Sequence, residues 1–209
     1  MDRQSLDRGW KFRFVGTPHS QDIEPESTIV DLPHDFSIIQ KRDPYTLSGA
    51  ANGFFPGGVG IYERTLYVPV EWEGKKVILE FEGVYMNATV RLNNQIVAQH
   101  PYGYTSFHCD LTPYLLYGRD NTISVTVNNS ALPNTRWYSG SGIYRHVWLM
   151  VGESVHITPW GVYATTPKVS TECSTVNVKT TIGNSGVEPA KITIVSTLLT
   201  ACGHVAARD

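Results

Sequence analysis

Cysteine is scarce in this chain: Cys109, Cys173 and Cys202 are all that 209 residues contain. Three thiols so far apart make neither a disulfide framework nor a zinc site, so all three are expected to be reduced and mostly buried. Long apolar runs are missing too, and no stretch of about twenty apolar residues could cross a bilayer as a helix. The opening residues, MDRQSLDRGWKF, are charged and lack the apolar segment of a secretory signal. Because a leader can be removed before the first residue, the compartment stays open between cytoplasm and periplasm. With 17 Lys and Arg against 19 Asp and Glu, the net charge is -2 and there is no basic block. Neither nucleic acid nor an anionic membrane surface is an expected partner. The seven histidines are singletons, without the i, i+4 pair of a metalloprotease helix, and no serine sits in a Gly-x-Ser-x-Gly elbow.

Helical periodicity is the last absence, since no segment sustains three turns of it. Alternation of period two takes its place. Val77, Leu79 and Phe81 oppose Ile78 and Glu80; Ala88, Val90 and Leu92 oppose Thr89 and Arg91; Ile123, Val125 and Val127 oppose Ser124 and Thr126. Each such strand is expected to bury one face. Turn signals separate them at Glu73-Gly74, Asn93-Asn94 and residues 117–121. Residues 111–116, with Pro113, predict a single helical turn. Many short strands of even spacing predict an all-β sandwich of two antiparallel sheets. Near Gly152 the aromatics thin out, and new strands are expected at residues 155–164, 175–182 and 190–199, with a turn at residues 183–186. Residues 202–209 show no pattern.

Residues 134–148 read NTRWYSGSGIYRHVW. They put Arg136, Trp137 and Tyr138 on a Ser/Gly-rich turn ahead of an aromatic strand. An arginine fork can bond hydroxyls and an indole face can stack on a pyranose. The plainer interpretation is a tight turn followed by Tyr144, Val147 and Trp148 filling a core, with Trp137 a core plug. The turn is not a phosphate loop, because a strand rather than a helix is expected after it.

Three further motifs stand in order with this one: Asp31-Leu32-Pro33-His34-Asp35, PGGVGIYERTLYVP at residues 56–69, and the long stretch from Phe81 to Asn129. From Gly9-Trp10-Lys11-Phe12 to about Met150, the chain resembles the N-terminal region of glycoside hydrolase family 2, the family of large multidomain β-galactosidases, β-glucuronidases and β-mannosidases. The resemblance implies a jelly-roll, galactose-binding-like sandwich over residues 1–152. An immunoglobulin-like sandwich would follow from 153, and a TIM barrel would carry the catalysis. An immunoglobulin-type domain needs about 100 residues and seven strands. The expectation for 153–209 is therefore a truncated domain, and for the whole chain a fragment.

Retaining glycosidases use two carboxylates about 5 to 5.5 Å apart. The resemblance places both on the barrel, with the acid/base Glu directly after an Asn, and no Asn-Glu pair occurs in this sequence. No catalytic residue is expected here. Glu63, Glu80 and Glu82 are expected to be solvated or rim-facing, and the resemblance makes Asp31 and Asp35 braces of the domain. It also implies that loops at residues 52–60 and 134–141 close the substrate pocket, which nominates Asn52, Gly57, Arg136, Trp137 and Tyr138 as rim contacts. Where some β-galactosidases of the family present an Asp on the second loop, this chain has Arg136. The implied activity is hydrolysis of O-glycosyl bonds by a retaining exo-glycosidase, foremost a β-galactosidase. An autonomous carbohydrate-binding module and a purely structural or oligomer-contact domain stay open beside it. The implied partners are a carbohydrate substrate, the downstream barrel and a second copy in a homo-oligomer. No cofactor or metal is expected in the chain itself, and a Mg or Na ion is implied near the barrel.

Overall fold

The computed structural model describes residues 1–16, 26–131 and 133–209. Contacts divide them into two compact units: Asp2–Val151, and Gly152–Asp209 together with Met1. Both are built of strands. Among the described residues there is no α-helix, only 3-10 turns at Gly49–Asn52, Val70–Trp72 and Thr112–Tyr114.

The first unit contains β1 (Asp2–Ser5), β2 (Trp10–Gly16), β3 (Thr28–Val30), β4 (Gly58–Val68), β5 (Lys76–Phe81), β6 (Ala88–Leu92), β7 (Gln95–His100), β8 (Phe107–Asp110), β9 (Arg119–Asn129) and β10 (Val147–Gly152). They form a four-stranded sheet in the order β1-β10-β5-β8 and a six-stranded sheet in the order β3-β2-β4-β9-β6-β7. Alternation explains the core between them. Val77, Leu79 and Phe81 of β5, Phe107 and Cys109 of β8, and Val147 and Leu149 of β10 belong to the same buried cluster as Trp10, Tyr62, Val90, Leu92, Ile123, Val125 and Val127 of the larger sheet. The long β4–β9 pairing, Gly58 opposite Asn129 through Val68 opposite Arg119, holds the larger sheet together. Asn93 and Asn94 close the β6–β7 hairpin with φ of 50° and 70°, the left-handed geometry that asparagine tolerates.

β5 departs from one-sided burial. Ile78 and Glu80, on the face away from the core, are also buried. Glu80 is not the solvated charge that its alternation suggests, because Arg3 on β1 reaches across the intervening β10 to it. The Arg3 guanidinium lies 3.1 Å from Glu80 and 3.2 Å from Glu82, and 3.9 Å above the Trp148 ring. Charge neutralisation at a shielded site makes the burial of Glu80 tolerable. Residues 140–146 also depart from expectation. Apart from one bridge between Gly142 and Tyr85 they are irregular, and the strand starts only at Val147.

The second unit has β11 (Val155–Lys168) paired antiparallel with β12 (Thr175–Asn184), and β13 (Thr197–Leu199) with β14 (Val205–Arg208). These four strands are fewer than the seven of an immunoglobulin-type sandwich. β12 runs on to Asn184, past the start of the turn expected at residue 183. The strand expected over residues 190–199 shrinks to β13, and the supposedly unpatterned tail supplies its partner. Thr200 donates from its amide to the His204 carbonyl to close that hairpin. Backbone pairing of this kind requires no apolar alternation, which is why composition does not reveal it. The same openness corrects the cysteines: all three are free, but only Cys109 is buried, while Cys173 and Cys202 are exposed.

Candidate functional site

The loops at one end of the first unit are organised by the carboxylate of Asp35. Its Oδ1 accepts from the amides of Ser37 (2.8 Å) and Ser141 (2.9 Å), and its Oδ2 accepts from the Tyr138 hydroxyl at 2.5 Å. One acidic side chain thus binds the loop after Pro33 to the turn at residues 138–141. Between these segments the His34 amide donates to Ile143 and the Phe36 amide to Ser141. Burial and the Asp35 bond push the Tyr138 phenol well above its usual range. Below this, His34 Nδ1 lies 2.8 Å from the hydroxyl of fully buried Tyr62. Burial holds the His34 imidazole below its ordinary value, against the opposing pull of Asp35. Gly142 makes the approach possible: its φ is +132°, and a Cβ there would lie 2.5 Å from both the His34 carbonyl and the Tyr62 oxygen.

A second network fixes the start of the same turn. Buried Asn129 donates from its amide nitrogen to Ser141 Oγ (2.7 Å) and the Gly140 carbonyl (3.1 Å). Its Oδ1 accepts from Asn134 at 2.6 Å. Asn52 is 2% exposed; it donates to the Phe55 carbonyl and accepts from the Ser139 amide. Its amide thus ties two loops together from a buried position. Gly57, at the foot of β4, is buried as well. Asp31 Oδ1 accepts from the Gly9 amide, a brace at the opposite end of its motif from Asp35.

Arg136, Trp137 and Tyr138 are all exposed. Arg136 and Trp137 line a hollow of about 470 Å³ together with Met86 and the tyrosines Tyr85, Tyr102 and Tyr104. Trp137 Nε1 donates to the Tyr104 hydroxyl at 3.0 Å, so Trp137 is a wall of the hollow and not a core plug. Tyr104 meets Tyr85 edge-on at 5.2 Å and Tyr102 at 5.8 Å. Gly103 lets the tyrosine loop close down, since a Cβ there would lie 2.1 Å from the Tyr85 ring. Its carbonyl accepts from the Tyr144 hydroxyl at 2.7 Å. Tyr138 faces away from this group, toward Phe55 and Asp35. Sequence reasoning missed Tyr85, Tyr102 and Tyr104. The available signal was Pro101-Tyr102-Gly103-Tyr104, two aromatics around a glycine in a loop where no core requires them.

Glu80 and Glu82 share Arg3, and Glu82 also accepts from the Trp148 indole at 2.8 Å, which commits both as charged acceptors on a sheet face. Among the described residues no three His, Cys, Asp or Glu side chains are grouped to hold a metal ion.

Residues 4–152 match the family described as glycosyl hydrolases family 2, sugar binding domain. The chain belongs to glycoside hydrolase family 2. It is 38% identical over 206 residues to a β-galactosidase of Bacteroides ovatus, covering 97% of this chain and 24% of that protein. To a β-glucuronidase of Bacteroides fragilis it is 31% identical, covering 88% of this chain and 26% of the relative. Among solved structures, a β-glycosidase from Bacteroides vulgatus aligns with all of this chain and 27% of its own, at a TM-score of 0.86 and 32% identity. This family 2 chain thus spans about a quarter of the length of the relatives it matches. The aromatic hollow and the Asp35 clamp both lie inside the matched sugar-binding domain.

Proposed function

We propose that this chain is the non-catalytic N-terminal part of a retaining exo-glycosidase, a β-galactosidase, and that its loop end rims and supports the substrate pocket of a downstream TIM barrel. The observation that carries the proposal is the loop end itself, where Asp35 and Asn129 fix the turn that presents Arg136 and Trp137. Likeness to relatives named β-galactosidase and β-glucuronidase supports the reaction class. Double displacement at an anomeric carbon requires two facing carboxylates, about 5 to 5.5 Å apart. In this reading both are barrel residues, and this domain contributes enclosure and orientation. The described residues offer no set for the ion implied near the barrel, so no step is assigned to one.

Two measurements test the reading. The chain alone should not turn over a nitrophenyl β-galactoside or β-glucuronide, and turnover abolished by mutating one of its own carboxylates would overturn the assignment. In the full-length enzyme, Arg136→Ala should weaken kcat/KM by about 1 to 3 kcal/mol if the guanidinium bonds the substrate. Wild-type kinetics for that variant would leave only a structural role. The preformed aromatic hollow favours a second reading, an autonomous carbohydrate-binding module. That reading requires micromolar binding of glycan by this chain alone, whereas a rim that is only part of a pocket should bind monosaccharides at millimolar affinity or weaker, on the order of 4 kcal/mol.

A further inference from the structure

The hollow between the tyrosine loop and residues 134–137 has features that the hydrolysis of a terminal sugar does not require. It is preformed: the Trp137–Tyr104 hydrogen bond orients two rings, Tyr85 packs against Gly103, and Tyr144 pins the loop backbone. Its volume of about 470 Å³ falls within the range of roughly 300 to 1,000 Å³ in which small-molecule sites are found. Its lining contains a single charged side chain, Arg136, and no carboxylate. Among the described residues no hydrogen bond, ion pair or ring contact engages that guanidinium. Asn134, also on the lining, has its amide committed to Asn129, Met86 and Tyr85 and competes little for a ligand.

We propose that this hollow is a glycan contact selective for a sugar unit bearing a carboxylate, with the pyranose lying against the aromatic rings of Trp137 and Tyr104 and the carboxylate paired with Arg136. This rests on the reading that the loop end faces carbohydrate, and goes beyond it in naming an acidic unit. The physical grounds are separate for each half. Aromatic faces favour the apolar face of a pyranose without regard to its charge. An unpaired guanidinium favours a planar carboxylate, because the fork makes two parallel bonds to an opposite charge where a hydroxyl offers a single uncharged acceptor. A neutral sugar therefore uses the rings and at most one bond from Arg136 to a hydroxyl, and an acidic one uses the rings and the full fork.

The test titrates the chain with methyl β-glucuronide and with methyl β-galactoside up to 100-millimolar concentrations (on the order of the weakest constants worth measuring), following the Trp137 indole and Arg136 guanidinium NMR signals. The glucuronide should bind about tenfold more tightly, with the preference falling as salt is raised. Arg136→Gln should abolish the preference by bringing glucuronide binding down to the level of galactoside binding in the same variant, and Arg136→Lys should restore part of it. Trp137→Ala should weaken both sugars alike. Spectra of each variant that retain wild-type dispersion establish that the fold persists. Equal binding of both sugars would overturn the acidic preference and leave the carbohydrate reading standing. Shifts confined to residues outside the hollow would overturn the site. Loss of kcat/KM in the full-length Arg136→Ala enzyme, with no uronate preference in this chain, would separate failure of this inference from failure of the proposed function.

Discussion

Replacing Asp35 by alanine is the most direct perturbation of the loop end. The carboxylate accepts from two backbone amides, of Ser37 and Ser141, that belong to fully buried residues, and from the exposed Tyr138 hydroxyl. A hydrogen bond to a charged acceptor is worth about 1.5 to 3 kcal/mol, and a buried donor left unpaired costs about 1 to 3 kcal/mol. The Tyr138 hydroxyl can turn to water and contributes little. The two amides cannot, so Asp35→Ala should cost about 3 to 4 kcal/mol. Asp35→Asn keeps an acceptor oxygen and should cost about 1 kcal/mol, and Tyr138→Phe less than that. Urea unfolding with linear extrapolation measures the totals. Native-state hydrogen exchange at the Ser37 and Ser141 amides reports whether the loss is local. An alanine variant within about 0.5 kcal/mol of wild type, the range of an ordinary surface substitution, would refute the clamp. So would full protection of both amides in that variant.

Acid should find His34 before it finds the carboxylates. Burial holds this imidazole below its ordinary value near 6.5, so in the pH window between its folded pKa and 6.5 the unfolded chain binds the proton that the folded chain refuses. Its contribution to stability is complete above about 6.5 and is lost as pH falls through that window. The stability difference between wild type and His34→Gln should therefore shrink from pH 7.5 to 5, and a difference independent of pH would count against it. Asp7 and Asp110 act lower down. Burial raises each, but the bonds from Val147 and His146, and from Lys76 and Thr112, prevail and hold both below the usual carboxylate range near 3.9. Their contribution is lost only as pH falls below about 3.9. Separately, a chain ending at Val151 should unfold cooperatively in urea, because every buried apolar side chain among the described residues lies between Leu6 and Met150. Loss of the folded state on that truncation would show that the core depends on residues beyond it.

Alternation along β4, β5, β6 and β9 was enough to identify strands, their inward faces and an all-β class, because a strand's side chains take sides every second residue whatever its neighbours are. Turn chemistry at Asn93-Asn94 was legible for a similar local reason, and the ordered motifs at residues 31–35, 56–69 and 134–148 carried the family. What the chain could not disclose locally was closure between distant segments. Asp35 meets Ser141 across 106 positions, Arg3 meets Glu80 across 77, and Trp137 meets Tyr104 across 33. Thus Glu80 read as a solvated charge until Arg3 was brought across to it. Nothing in the sequence disclosed that the Asn52 amide joins two loops. Tyr102 and Tyr104 showed only as two aromatics around Gly103, and nothing local joined them or Tyr85 to the turn at residues 134–137 that lines the same hollow. A side chain's periodicity reports which face it takes, whereas its partner is set by how loops separated by whole strands converge, and that is a property of the tertiary structure alone.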